Sequence, residues 1–524
     1  MIKRLFVLGV VLFSSINFLS AQISFQKTYG GTGADEAYSV QQTSDGGYII
    51  AGYTEDPSYY GYAYLIKTNF NGDTLWTRAI GGIDYDIAFS VQQTTDGGYI
   101  MTGYTTSFGA GNTDVLLIKT DSFGNPIWTK IFGGTNYDWG YSVEQTMDGG
   151  YIVTGFTNGN GNGYEDIYLI KTAANGDSLW TKILGSSDEY AGRSVHQTAD
   201  SGYIITGIAY NFGAGGYNTF LLKTDINGNS LWIKTIGGTL YDLGHSVQQT
   251  IDGGYIIVGT SYNSGADDEV YLIKTDTNGN TLWSKTYGGT NDDWGYSVQQ
   301  TTDGGYIIAG YSNFTFTSDP DVYLIKTNVN GDTLWTKTFG GGTDDTGFSV
   351  QQTTDGGYII AGSTSSFGAG DKDVFLIKTD SLGNSVCSQK NTSTIISTPA
   401  FQTMLPVLTI SSGGTVSAPT PPIISTGIVT TLCTNVSISE ITTDNSFLVF
   451  PNPSAGNFIF SFEKMIIKGN VEILNILGEN VYAENIFNES KKEINLKGIS
   501  DGIYFVKVFD GEKYYCKKVI ITQN

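Results

Sequence analysis

Histidine and cysteine are nearly missing from this chain: 2 of the first and 3 of the second in 524 residues. No His/Cys cluster has metal-ligand spacing, and a scaffold stapled by many disulfides is excluded. Cys387 and Cys433 bracket a Ser/Thr/Pro-rich stretch and could bridge in an oxidising compartment, with Cys516 left over near the C-terminus. Positive charge is scarce too. Against 50 Asp and Glu stand 28 Lys and Arg, for a net charge of −22. Such a surface disfavours nucleic acid and anionic membranes and suits a secreted protein. Long apolar runs are confined to the N-terminus, where Lys3 and Arg4 precede an apolar stretch from Leu5 to Phe18 and then Leu19-Ser20-Ala21. That order predicts a secretory signal peptide, residues 1–21, cleaved after Ala21. The run is too short to span a bilayer, and no later one is long enough. No cysteine lies near the cleavage point, so a lipid anchor is not expected. P-loops and nucleophile elbows are lacking as well.

What is present is repetition. Asp-Gly-Gly-Tyr recurs at Asp45, Asp96, Asp148, Asp252, Asp303 and Asp355, with Asp200-Ser201-Gly202-Tyr203 as a seventh copy. The step is about 52 residues, a period of solenoids and propellers. Each unit reads as four strands, A to D, joined by Gly-rich turns. Strands B and C are apolar at consecutive positions, as in Tyr48-Ile49-Ile50-Ala51 and Val115-Leu116-Leu117-Ile118. Continuous apolarity means both faces are covered, which face-to-face stacking of blades achieves. Strand D alternates: Trp76, Trp128, Trp180, Trp232, Trp283 and Trp335 are each followed two residues on by Arg or Lys. The Trp should pack between blades, and the cation should face water on an outer edge that it protects from pairing.

Ring closure is legible. The chain reaches Phe25-Gln26-Lys27-Thr28-Tyr29-Gly30-Gly31, a D-strand pattern, before its first A strand, and the seventh unit has Val386-Cys387 where Leu-Trp should stand. The first strand therefore completes the last blade. The expected fold is all-β: a seven-bladed propeller of four-stranded blades over residues 22–387. The segment Tyr-Leu-Ile-Lys-Thr-Asp-x-x-Gly-Asn-x-Leu-Trp resembles the repeat of quinoprotein-like β-propellers and of secreted bacterial and archaeal propellers. The resemblance covers about residues 24–386 and concerns turn and packing residues, so it implies fold rather than activity.

Residues 388–445 lose their charges and turn to Ser, Thr and Pro, which reads as a linker; its scattered Ile, Val and Leu allow parts of it to pair against the propeller. Residues 446–524 return to strand patterns without the repeat and read as a small β-sandwich. Pro451-Asn452-Pro453 with Gly456, then Gly502-Ile503-Tyr504 and Lys517-Lys518, resemble the type A C-terminal sorting domain of type IX secretion. That resemblance implies the type IX machinery as a partner, a Bacteroidetes-type cell, and delivery to the cell surface or medium.

Chemistry is sparsely signalled. His196 and His245 are single departures from the repeat and are read as structural. Asp35, Asp86, Asp138, Asp242, Asp293 and Asp345 recur four residues before the Ser of strand A, and Asp114, Asp166, Glu269, Asp321 and Asp373 open strand C. Ca²⁺ is possible there, but turn capping is preferred and no cofactor is expected. Gln42, Gln93, Gln145, Gln197, Gln249, Gln300 and Gln352 should ring the channel. The position three before the Ser varies most and carries Trp139 and Trp294, the candidate rim aromatics for a glycan or protein ligand. A non-catalytic binding or display scaffold is the leading reading; the rival is an extracellular polysaccharide hydrolase or lyase.

Overall fold

The computed structural model describes residues 22–522, except 56–59, 159–163, 186–187, 211–215, 239, 263–266, 314–318, short stretches between 386 and 446, 455, 476–479, 497–498 and 510–513. The predicted signal peptide and Cys387 lie outside the described residues. One compact unit is Gln22–Val436, and a second contains Ser437–Asn524. Blade three shows the repeat. Strands A to D are Asp138–Gln145, Tyr151–Thr157, Asp166–Thr172 and Ser178–Gly185, in one antiparallel sheet. The B and C strands are buried at every position in this blade, as their unbroken apolarity requires. Seven such blades form the propeller, and Gln22–Gly30 is the D strand of the seventh, with Phe25 opposite Lys378 and Tyr29 opposite Val374.

The Asp-Gly-Gly-Tyr marker is a lock as well as a turn. Its first Gly sits near φ +83°, for example Gly46, a region that L side chains resist. Its Asp accepts from the Thr two residues before it and from the second Gly, as Asp45 does with Thr43 and Gly47. The same carboxylate holds the buried strand-C lysine: Lys67, Lys119, Lys171, Lys223, Lys274, Lys326 and Lys378 lie 2.9 to 3.0 Å from their Asp. Against the penalty of burial, bonds from Thr94, Lys119 and Gly98 hold Asp96 down at about 2.

Its Tyr joins neighbouring blades. Each D-strand aromatic lies edge-on to the marker Tyr of the next blade, at ring distances of 5.8 to 6.2 Å, from Phe25–Tyr48 round to Trp335–Tyr358. The same aromatic abuts the positive-φ Gly of that blade's C–D turn; a Cβ on Gly124 would meet the Trp76 ring at 2.6 Å. The D-strand cations do not simply face water. Lys27, Lys130 and Lys285 reach Asp73, Asp177 and Asp332 of the next C–D turn, while Lys182, Lys234 and Lys337 reach Asn229, Asn280 and Asn384.

Nor is strand D the outer edge. Segments 389–391, 395–397, 402–404, 409–411, 415–417, 423–424 and 428–437 each add a fifth antiparallel strand, to blades six, five, four, three, two, one and seven in that order. The Ser/Thr/Pro-rich segment thus circles the ring once, against the direction in which the blades were laid down. It pairs with the last two or three residues of strand D in blades one to six, as where Ile410 lies opposite Leu184. Seven edges that would otherwise offer unpaired backbone groups are capped.

The crossover carboxylates cap turns. Asp35, Asp86, Asp138, Asp242, Asp293 and Asp345 each accept the N–H of a Gly four residues earlier, at 2.6 to 2.8 Å. Burial is costly for these groups. It raises Asp293 to about 7, and at the start of strand C it raises Asp114 to about 6, backed by the charge of Asp138.

The second unit is a five-stranded sheet. Asn457–Leu474 runs through its middle, pairing with Phe447–Phe450, Asn480–Asn495 and Gly502–Phe509, and the last of these pairs with Tyr514–Ile521. A parallel bridge between Ser454 and Ile521 nearly closes it around Phe458, Phe460, Ile473, Ile486 and Val506.

Two outcomes are expected. Deleting 388–437 uncovers seven strand edges, so the propeller should melt several degrees lower and aggregate with concentration. Scanning fluorimetry and light scattering report both, and an unchanged midpoint contradicts a capping role. Asn218 stands in blade four where blade two has Asp114, each against a crossover Gly, so Asp114→Asn fits. Asp114 is raised from 3.8 to about 6, so its contribution to stability is full below pH 3.8 and lost as pH rises through about 6. The variant should match wild type near pH 4 and exceed it by about 1–2 kcal/mol at pH 7.5. Denaturant unfolding at both pH values checks this; a pH-independent difference contradicts it.

Candidate functional site

The A strands are innermost and surround a channel cavity of ≈ 250 Å³ lined by Val40, Val91, Val143, Val195, Val247, Val298 and Val350 and by the residue after each. On the side of the marker turns, two Gln-based rings lace the blades together. Gln42, Gln93, Gln145, Gln197, Gln249, Gln300 and Gln352 each accept, through Oε1, a turn N–H of the preceding blade, from Thr354, Ser44, Thr95, Met147, Ala199, Ile251 and Thr302. This ring is complete. The adjacent one is Gln41, Gln92, Glu144, His196, Gln248, Gln299 and Gln351. Six of its members accept a backbone N–H of the next blade, as Gln41 does from Gln93. His196 makes no such bond among the described residues. Its Nδ1 lies 3.1 Å from Glu144. Burial works against its protonation, but Glu144 outweighs it and raises His196 above its ordinary value.

The crossover side of the channel is different. Tyr38, Phe89, Tyr141, Arg193, His245, Tyr296 and Phe348 occupy one position of the seven A strands, just before the conserved-in-repeat Ser. The aromatic neighbours touch around the circle at ring distances of 5.1 to 5.2 Å. The Arg193 guanidinium carbon lies 4.1 Å from the Tyr141 ring centre, a cation–π distance. Burial, aided by Arg193, pushes His245 down to about 3, so it is neutral at physiological pH.

Trp139 and Trp294 lie beside this ring, half-buried rather than fully exposed. Trp139 stacks on Tyr104 at 4.4 Å and 16°, contacts Phe89, Tyr141 and Phe156, and donates from Nε1 to Thr113. Trp294 stacks on Tyr311, contacts His245 and Tyr296, and donates to Asp268. Sequence variation there reflects local partners, each Trp having an aromatic opposite it on strand B.

Sequence reasoning missed the tyrosines of the same face. Tyr85, Tyr137, Tyr164, Tyr210, Tyr241 and Tyr262 are exposed, Tyr164 by 56%. Tyr210, Tyr217, Tyr241 and Tyr262 form a continuous strip at ring distances of 4.8, 5.7 and 6.5 Å. The signal was available in Tyr85, Tyr137 and Tyr241, each just before a crossover Asp. Next to the strip, the Tyr217 hydroxyl donates to Glu189. Burial and the charge of Glu189 raise Glu165 to about 7, with Arg193 opposing. Among the described residues no group of three or more His, Cys, Asp or Glu is placed to hold a metal ion.

The sorting-motif residues tie the second unit together. Asn452 accepts from the Ile520 N–H and donates to the Lys518 carbonyl. Gly456 has φ +94° and its N–H meets Ser454. Tyr504, in the strand that Gly502 opens, donates to the Ser500 carbonyl. Lys517 and Lys518 lie in the last strand, where Lys518 is exposed. Pro451 and Pro453 flank Asn452 at the strand entry. Cys433 lies in the last circling strand; the proposed bridge to Cys387 involves a residue outside the described set.

No curated protein matches the sequence. Among solved structures, the chain is similar to Sqt1 from Chaetomium thermophilum, at 10% identity and TM-score 0.39, covering 64% of this chain and 81% of that one. It is also similar to endo-1,5-alpha-L-arabinanase from Thermotoga petrophila, at 11% identity and TM-score 0.28, covering 68% and 100%. At these scores neither likeness bears on activity. Among the described residues no helix is long and apolar enough to cross a membrane. Residues 448–522 match the family described as the secretion system C-terminal sorting domain. The chain is therefore a seven-bladed propeller carrying a type IX secretion sorting domain, a secreted or cell-surface protein.

Proposed function

We propose that the propeller is a non-catalytic binding module displayed outside the cell, with its ligand seat on the crossover face. One observation carries this: departures from the sevenfold repeat collect on that face, as half-exposed and exposed aromatic side chains around the channel mouth. Trp139, Trp294 and the tyrosine strip offer planar apolar surfaces edged by hydroxyls and carboxylates, which suits a sugar ring. The marker-turn face, by contrast, keeps its Asp, Gly and Tyr nearly throughout and carries no such aromatic cluster, varying mainly at the residue before the Asp and at Glu144 and His196. Export follows from the two ends of the chain. Residues 1–21 would take it across the inner membrane of a Bacteroidetes-type cell, and 446–524 would engage the type IX machinery at the outer membrane. We propose no bound cofactor; the crossover carboxylates that could attract Ca²⁺ are engaged in capping backbone N–H groups.

The second reading, a polysaccharide hydrolase or lyase, is favoured by one feature. Glu165 and Glu189 are carboxyls on this same face, with acids at the equivalent places only in Asp268 and in Asp292 and Asp344, and Glu165, held near 7, could keep a proton for a leaving group.

Wild type should bind a neutral or acidic polysaccharide on a glycan array, and Trp139→Ala with Trp294→Ala should weaken that binding at least about tenfold, a loss of roughly 1.4 kcal/mol. Release of reducing ends by wild type would overturn the non-catalytic reading. Truncation of 446–524 should leave the propeller in the periplasm, measured by fractionation; normal surface delivery of the truncated chain refutes the export assignment.

A further inference from the structure

Arg193 is the one departure from an otherwise aromatic or imidazole ring. Six blades place Tyr, Phe or His at this position; blade four places a guanidinium. Among the described residues Arg193 makes no ion pair within 4.0 Å, although every strand-C lysine in the chain does. Its Nε is buried and has no hydrogen-bond partner, and the neighbouring His245 Nε2 is in the same condition. Other buried polar atoms lack a partner too, the Oδ1 of Asp35 and Asp86 among them, but Arg193 is the cation of this set, and unmet buried groups are costly. The guanidinium is held against Tyr141. A stacked Arg keeps its planar edge for a planar partner such as a carboxylate.

The surroundings favour an outside anion. His245 is neutral and adds no competing charge. The charge of Arg193 acts on Glu165, yet among the described residues no carboxyl closes an ion pair with it. The net charge of −22 opposes long-range attraction of an anion, so recognition has to come from contact. Trp139 touches Tyr141, the ring against which the guanidinium is held, and the tyrosine strip on the same face reaches Glu189 through Tyr217.

We propose that Arg193 receives a carboxylate, and that the ligand of this face is an acidic glycan of uronic-acid type, its sugar ring resting on the flanking aromatics. A uronic acid suits the arrangement because its carboxylate is attached directly to the ring, so stacking and pairing occur together. This rests on the crossover face being a glycan seat.

The experiment is calorimetric titration of the full chain with polygalacturonate and with its fully methyl-esterified form, which keeps the rings and removes the charge. Wild type should bind the acid form at least about tenfold more tightly than the ester, in line with one charged hydrogen-bonded pair. Arg193→Tyr, which makes the ring match the other blades, should lose that preference, binding acid and ester within about twofold of one another; Arg193→Lys should fall between. Thermal midpoints of the variants within a few degrees of wild type show that the fold survives. Equal binding of acid and ester by wild type, or an Arg193→Tyr variant that keeps the preference, overturns the role of Arg193 and leaves the glycan seat standing. No binding of either polymer, with binding instead to a peptide bearing a free C-terminal carboxylate, overturns both the acidic-glycan assignment and the glycan seat.

Discussion

The contact between one blade's D-strand aromatic and the next blade's turn is the constraint on which the architecture rests. The indole lies over a glycine whose positive φ admits no Cβ and edge-on to the marker tyrosine. A single such aromatic pair is worth about 0.5–1.5 kcal/mol beyond its burial, but it recurs at every seam, including the one where Phe25 replaces Trp. Because a blade has no covered face of its own, nothing here is stable until a neighbour is in place. Ring closure by Gln22–Gly30 therefore completes two blade interfaces at once.

That demand explains the sequence economy. Asp, Gly, Gly, Tyr, Lys and Trp recur in the turns and seams with only Ser201 and Phe25 as exceptions, and the carboxylate that shapes the A–B turn also neutralises the buried lysine beside it. The channel side of each blade is equally committed, with Gln side chains bridging A strand to A strand. Freedom remains at the crossover end of strand A, where the chain crosses from one blade to the next, and around the B–C loops. The aromatic ring, the two tryptophans, Arg193 and the tyrosine strip all fall there.

Most of the fold was legible because it is periodic. Strand count, turn glycines, the innermost position of strand A and the borrowed first strand all follow from residues compared at equal offsets. The inter-blade role of Gln42 and its equivalents was readable in the same way. The candidate site was only half legible. Trp139 and Trp294 stand out as variable positions, but variation alone pointed to exposure, and it did not show that each has a stacking partner on strand B. Arg193 and Glu144 were invisible as a group, since each is a single substitution in a separate copy and only the closed ring places Arg193 beside His245 and Glu144 beside His196. The D-strand lysines were misread for a related reason: their partners, such as Asp73 for Lys27, lie 46 residues on, in the next blade.

By itself the sequence determined the number of blades, the identity of the seam residues and the sorting motif at the C-terminus, because these are carried by short-range patterns of turn chemistry and apolar alternation. The tertiary structure alone decided what residues 388–437 do. Their strands, all but the last, are only two or three residues long, too short for strand patterning, and their backbone bonds are made with seven separate sheets. Hydrogen bonding to a remote edge leaves almost no side-chain signature, since it is the main chain that pairs, so a belt of strands reads as a linker until the edges it covers are in place.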